Sequence, residues 1–238
     1  MSEKIVGDNI EAKNALWSFG GRTPENFGQH VRRSVPGYEQ GHELICALSD
    51  FFVKENSICY ELGSSIGELT CKLAKQNKDK KGAKWIGIDC EEAMTDKAKT
   101  LCSYSDVEFV TADINLFEYE RSDFIIAYYT IQFVPPRLRQ DLINKIYETL
   151  NWGGAFIMFE KVRGADARFQ DILTSLYIDY KLENNYSSEE IVAKSRSLKG
   201  ILEPFSTQGN IDLLSRAGFQ DIMTIMKHIC FEGFFCIK

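Results

Sequence analysis

Nine residues, Cys59-Tyr60-Glu61-Leu62-Gly63-Ser64-Ser65-Ile66-Gly67, join a short apolar run to a turn bounded by glycines. A turn between a strand and a helix is where main chain approaches a ligand closely. Gly63 and Gly67 lack a Cβ, so the spacing predicts a tight turn against which an adenosyl group can lie. A dinucleotide fingerprint would need glycine where Ser65 and Glu68 stand. Glu68 would also aim a carboxylate at the helix N-terminus that a pyrophosphate requires. S-adenosylmethionine has no phosphate and carries a sulfonium cation, so it tolerates that acidic rim. Asp89 lies 22 residues after Gly67, where a carboxylate can accept bonds from both ribose hydroxyls. Asp113, in Thr111-Ala112-Asp113-Ile114, follows the next apolar run and is placed to receive the adenine amino group. Either acid alone reads as a helix N-cap. Together with the turn they predict S-adenosylmethionine as cofactor, with S-adenosylhomocysteine left after methyl transfer.

Methyl transfer from a sulfonium is an in-line displacement, so the protein mainly aligns the reactants and supplies a base only when the acceptor must lose a proton. Of the three histidines, His30 is the candidate base, since imidazole titrates near neutrality; the competing reading is a packing histidine. His42 and His228 read as structural. Glu160, ending a predicted strand, is placed to position or deprotonate an acceptor, or to pair with a nearby Lys or Arg. Tyr128 and Tyr129 are candidates to shape the methyl pocket, because aromatic faces attract cations. Tyr177, Asp179, Tyr180 and Tyr186 are candidate substrate contacts, and the Lys78-Asp79-Lys80-Lys81 run reads as a solvated loop.

The elements that must position these groups alternate between β-branched runs and amphipathic stretches, the pattern of a parallel α/β sheet. Pro36 is expected to open a helix with a stripe of Leu44, Ile45, Leu48, Phe51 and Phe52. Strands are predicted at residues 57–62, 84–89, 107–111, 123–129 and 155–160, with helices after the first, second and fourth. Trp152-Gly153-Gly154 should stop the helix begun at Pro135-Pro136. Residues 164–204 break the rhythm: Phe169, Ile172, Leu173, Leu176 and Tyr180 make a helical stripe, a second helix follows Ser187, and the pair reads as a cap inserted over the sheet edge. A helix ending at Gly218 and strands at 221–227 and 230–237 complete the chain; so short a connection makes those strands an antiparallel hairpin. The expected fold is α/β: a doubly wound, Rossmann-like, seven-stranded and mostly parallel sheet of the class I methyltransferase kind. The divisions are a helical segment covering the site (1–56), a cofactor-binding core (57–163), the cap (164–204) and the rest of the core (205–238).

With 34 acidic against 28 basic residues the net charge is -6, which disfavours the broad phosphate-neutralising surface of a nucleic-acid binder. Seven cysteines without a C-x-x-C pair read as reduced thiols of a cytoplasmic protein. The first residues lack the apolar region of a signal peptide, and the run Phe124–Val134 is about half a membrane span. A small-molecule acceptor is therefore the expected partner, with no membrane, no stable nucleic-acid contact, no metal ligand set, and a homodimer as the candidate assembly.

From Trp17 onward the chain resembles the carboxy-S-adenosylmethionine synthases, which serve tRNA wobble-uridine modification, and their methyltransferase relatives. The matching segments are Arg33 to Tyr38, Glu61 to Gly67, Thr130 to Phe133, Asp141 to Tyr147, Asn151 to Gly154, Glu160-Lys161 and Tyr186-Ser187. The resemblance implies that Tyr38, Gly63, Ser64 and Ser65 surround the methionine and sulfonium part of the cofactor. It implies likewise that Asp89, Cys90, Asp113 and Ile114 hold the adenosine. Three departures stand out. The synthases bind the product's extra carboxylate with an Arg directly after the lysine matching Lys194; here that position is Ser195, with Arg196 one helical step, about 100°, further on. They carry Asn where Tyr128 stands, and need no histidine at His30. These departures favour an ordinary methyltransferase acting on a small molecule, free or carrier-bound, with Arg33, Tyr177, Tyr180, Tyr186 and Arg196 as substrate contacts. The second reading is a carboxy-S-adenosylmethionine synthase using prephenate; a catalytically idle cofactor-binding protein is the third.

Overall fold

In the computed structural model, which describes residues 4–6, 10–17, 19 and 23–238, nine strands and eight α-helices are assigned among the described residues. A two-stranded antiparallel ribbon, β1 (Lys4–Ile5) and β2 (Glu11–Ala12), precedes α1 (Thr23–Ser34) and α2 (Tyr38–Ser49). The main sheet holds β3 (Ile58–Leu62), β4 (Lys84–Asp89), β5 (Val107–Thr111), β6 (Ser122–Tyr128), β7 (Leu150–Lys161), β8 (Asp221–His228) and β9 (Phe231–Ile237) in the order β5-β4-β3-β6-β7-β9-β8. β9 runs antiparallel to β7 and β8, and the other pairs are parallel.

Every residue of β6 is buried, as a central strand covered on both faces requires. Alternate residues feed two cores. Tyr60, Leu62, Ile125, Ala127, Phe156 and Met158 face α5 (Pro136–Thr149) and α8 (Thr207–Ala217). Cys59, Phe124, Ile126, Ile157 and Phe159 face α2 and α3 (Glu68–Gln76), with Trp85 between them. α4 (Glu92–Leu101) covers the β4–β5 edge. The outer strand β8 is largely exposed and carries Asp221 and Lys227, charges that discourage pairing with another sheet.

Gly218 ends α8 in the left-handed conformation, φ 119°, as expected of a C-terminal glycine stop. Ser187 and Glu190 form a reciprocal capping box that starts α7 (Ser188–Ser197). Three local expectations are corrected. α2 stops at Ser49, and Phe51 beyond it is 81% exposed instead of joining the stripe. Trp152-Gly153-Gly154 does not stop the preceding helix, which has already ended at Thr149, but lies inside β7, where pairing shifts between Ser122 and Phe124 and Gly153 takes φ 77° in a bulge. Along α6 (Ala167–Glu183), Phe169, Ile172 and Leu176 face solvent, about half exposed. Seven free cysteines are present, and no helix among the described residues is long and apolar enough to cross a membrane.

Candidate functional site

The C-terminal ends of β3, β4, β5, β6 and β7 open into one cavity of about 980 Å³, roofed by α1, α6 and α7. That volume is at the upper end for one small ligand and leaves room for a second.

At its floor, the backbone N–H groups of Gly63 and Ser64 both donate to Ile88 O, at 2.7 and 2.9 Å, tying the glycine turn to β4. Ser65 takes φ 51°, a cost for a residue with a side chain that is held only where surroundings enforce it. The enforcing bond runs from Ser65 N to Asp89 Oδ2, 2.8 Å, while Asp89 Oδ1 accepts from Glu91 N at 3.0 Å. Each oxygen keeps a lone pair for a ligand hydroxyl. Burial raises the Asp89 pKa, opposed by these N–H donors. Asp113 accepts from Asn115 N and Nδ2, at 2.8 and 2.7 Å, in a turn on the cavity rim, beside buried Ile114. Cys90 is exposed on the same rim. The buried Ser64 Oγ has no hydrogen-bond partner, an orphan polar atom on the cavity wall that a polar ligand would satisfy.

Both glycines take the left-handed backbone of a tight turn, φ 72° at Gly63 and 75° at Gly67, with Gly63 on the cavity wall, and they also relieve crowding behind it. A Cβ on Gly63 would lie 2.3 Å from Thr130 Oγ1, and one on Gly67 would lie 2.4 Å from Phe109 Cζ. Gly67 caps α3 at φ 75° and lies off the cavity wall. Both make room for protein packing behind the turn. Thr130, which the sequence quoted but gave no role, braces it by donating to Leu62 O at 2.7 Å.

Glu61 and Tyr38 line the cavity on the α2 side. Glu61 is buried, accepts a bond from Thr70 Oγ1, and is pushed up to about 8 by burial against that bond, with Asp89 and Glu68 adding to the rise. Tyr128 donates its OH to Tyr38 O at 2.6 Å and packs on His42. Burial drives its pKa far up, and the residue lies on the cavity wall.

Glu160 is also redirected. Its carboxyl accepts from the N–H groups of Ile131 and Gln132, at the start of the 3₁₀ turn Ile131–Phe133, and burial holds its pKa well up. It lies off the cavity wall, facing the opposite side of β7 from Lys161, which is on it. His30 is buried between Lys194 Nζ, 2.9 Å from Nε2, and Tyr186 OH, 3.2 Å from Nδ1. Both ring nitrogens thus have a partner within hydrogen-bond distance. Arg33 reaches away from the cavity: Nε donates to Asn184 O at 3.0 Å and Nη2 to Asn185 O at 2.8 Å. Tyr180 stacks on Tyr177 off the wall, whereas Tyr177 and Tyr186 are on it. Ser195 and Arg196 both reach the cavity rim, so the helical step does not turn Arg196 away.

Charge divides across this cavity. Glu61, Glu68, Asp89, Glu91 and Asp113 come from the β3–β5 half; Lys161, Arg163, Lys181, Lys194, Arg196 and Lys199 come from β7 and the cap. Glu190, on the cap side, is engaged in its capping box. Lys161 and Lys194 entered the sequence reading only as matches to the synthases, without a role, and Lys181 not at all. Lys161 carried a usable signal, its place at the ligand-binding edge of a parallel strand.

A methyltransferase-domain family model matches residues 60–154. Human N-acetylserotonin methyltransferase in complex with SAM superimposes with a TM-score of 0.62 at 19% identity, over 91% of this chain and 56% of that one. An O-methyltransferase family protein from Burkholderia thailandensis gives 0.63 at 13%, over 91% and 60%. The chain thus spans little more than half the length of these structures, and the likeness is one of fold. Fold and domain together define a methyltransferase-type, S-adenosylmethionine-dependent enzyme of class I. Carboxy-S-adenosyl-L-methionine synthases are similar over essentially the full length: that of Staphylococcus epidermidis is 35% identical over 93% of this chain and 97% of its own, and that of Campylobacter lari 35% over 100% of both. The chain belongs to the carboxy-S-adenosyl-L-methionine synthase family.

Proposed function

We propose that the chain is a carboxy-S-adenosylmethionine synthase, which places a carboxyl group on the methyl carbon of S-adenosylmethionine. The full-length relatives favour this reading over methyl transfer to a small acceptor, which the sequence placed first. The observation that carries it is the division of charge in the cavity. The acidic half suits the cationic cofactor, with Asp89 toward the ribose, Asp113 toward the adenine, and Ser64 and Glu61 toward the methionine part. The basic half suits an anionic carboxyl donor, for which prephenate is the candidate. A neutral methyl acceptor would have no need of six cations. When bound, the cofactor supplies an activated methyl group beside a sulfonium. The net change would break the methyl C–H bond and the donor's bond to its carboxyl group and join the two carbons; the donor's freed electron pair expels its ring hydroxyl as the ring becomes aromatic, and the hydroxide leaves with the methyl proton as water.

The new carboxylate needs a cation next to the sulfonium. Arg196, exposed on the rim and without a carboxylate within 4 Å among the described residues, takes the role for which Ser195 lacks a charge. His30 and Tyr186 position Lys194 on the same wall. A homodimer remains part of the proposal, with the exposed row Phe169, Ile172 and Leu176 of α6 against a second copy; light scattering tests it. Incubation with S-adenosylmethionine and prephenate, followed by mass spectrometry, should give the carboxylated cofactor. Recovery of unchanged cofactor alone, with S-adenosylhomocysteine accumulating on an added small acceptor, would return the assignment to an ordinary methyltransferase. A cofactor that binds but turns over under neither condition would mark an idle binding protein.

A further inference from the structure

Two lysines on the cavity wall lack what buried lysines ordinarily have. Lys161, the last residue of β7, holds Nζ 4.2 Å from the ring centroid of Tyr177 and 6.0 Å from that of Phe231. Lys181, on α6, holds Nζ 4.5 Å from the same Tyr177 ring. Among the described residues neither ammonium has a carboxylate within 4 Å or a hydrogen-bond acceptor, although Lys181 is only 8% exposed. Tyr177 is pinned between them by its OH, which donates to Ser34 O at 2.8 Å. Aromatic faces attract cations, but less than an anion does, and two like charges sharing one ring repel. Burial lowers the pKa of both, that of Lys181 to about 7, with Lys161 as the second cause. The arrangement is costly as structure and is explained by an anion that arrives from the cavity.

We propose that Lys161 and Lys181, with the Tyr177 and Phe231 rings, form the subsite for a carboxylate of the second substrate, a small ring-bearing acid with at least two carboxyl groups. β7 is the second neighbour of β3, so the subsite lies roughly 10 Å from the glycine turn at a strand spacing of about 4.8 Å, one small molecule away from the cofactor. The rings supply flat apolar surface for a cyclic skeleton. Two ammonium groups stabilise a carboxylate as an anion and oppose its loss, so they hold the carboxyl group that the donor keeps. The group transferred must be another, which is why a monocarboxylic acid does not suffice. This inference rests on the proposed function for the identity of the donor and on the lysine geometry for the site.

The test is calorimetric titration of prephenate into protein loaded with S-adenosylhomocysteine, for the full chain and for Lys161→Met and Lys181→Met. Each substitution should weaken prephenate binding tenfold or more, leave the affinity for S-adenosylhomocysteine within twofold, and keep or raise the melting temperature, because a buried charge without an acid is removed. Unchanged prephenate affinity in both variants overturns the inference, as does a lowered melting temperature, which would make the lysines structural. If the wild-type protein binds no prephenate, the donor named under the proposed function fails, and phthalate, a ring dicarboxylate, decides the subsite. Phthalate binding that both variants lose sustains it; equal binding, or none by the wild type, overturns it.

Discussion

Replacing Glu61 by Gln should change the pH dependence of stability in a defined direction. In the folded chain burial holds this carboxyl near 8 against an ordinary value of 4.5, and in the unfolded chain it returns to the ordinary value. Between those two pH values the folded state therefore binds a proton that the unfolded state has released. Stability must fall as pH rises across this window, and the contribution is constant below 4.5 and above 8. At about 1.4 kcal/mol per pH unit, the full difference is roughly 5 kcal/mol, of which roughly 3 kcal/mol is lost by pH 7. Gln keeps the shape, and its carbonyl can still accept the Thr70 bond, but it has no proton to lose. The variant should show a flatter profile and be more stable than the wild type at pH 7 by an amount on the order of 3 kcal/mol. Urea unfolding at half-unit steps from pH 4.5 to 8 measures the difference, in which other titrating groups such as Glu160 and His42 cancel. Parallel profiles for the two proteins would refute the reasoning, since they would mean that Glu61 is ionised in the folded chain. Adding the cationic cofactor should favour the ionised form, so binding by the wild type at pH 7 should release a proton that the Gln variant does not release. Calorimetry in buffers of different ionisation enthalpy reads that proton directly.

Asp89→Ala should weaken S-adenosylmethionine binding by about 1.5–3 kcal/mol, the range for charged hydrogen bonds, and an unchanged calorimetric affinity would reduce Asp89 to a brace for Ser65. Nicotinamide dinucleotides should give no thermal shift comparable to that of S-adenosylmethionine, because Ser65 and Glu68 replace two fingerprint glycines. Gly67→Ala should destabilise by about 1–3 kcal/mol, through φ 75° and the 2.4 Å approach to Phe109. Gly153→Ala, at φ 77° with open space around its Cβ, should cost less, and equal denaturation midpoints for the two variants would exclude the packing contribution at Gly67.

The glycine turn, the acids after β4 and β5, and the seven strands with their terminal hairpin were legible because each depends on neighbours in sequence. Apolar alternation, a Cβ-free turn and a cap act within a few residues, and strands that follow a βαβ rhythm have little choice of topology. The chemistry of the basic half was not legible, because it depends on which way a side chain faces and on what distant segment meets it. Glu160 and Lys161 are adjacent, yet one caps a buried turn and the other reaches the cavity. Successive strand residues point to opposite faces, and the bulge at Gly153 resets the count. The sequence left His30 as either a candidate base or a packing histidine; that Lys194 and Tyr186, more than 150 residues away, meet its two nitrogens only the fold shows. The Phe169–Leu176 stripe has the period of a buried helix face, but period specifies a face and not its occupant. Local pattern fixes elements because backbone hydrogen bonds and rotamers are local; sites are decided by the packing of elements, where a single residue of register changes which group meets the ligand.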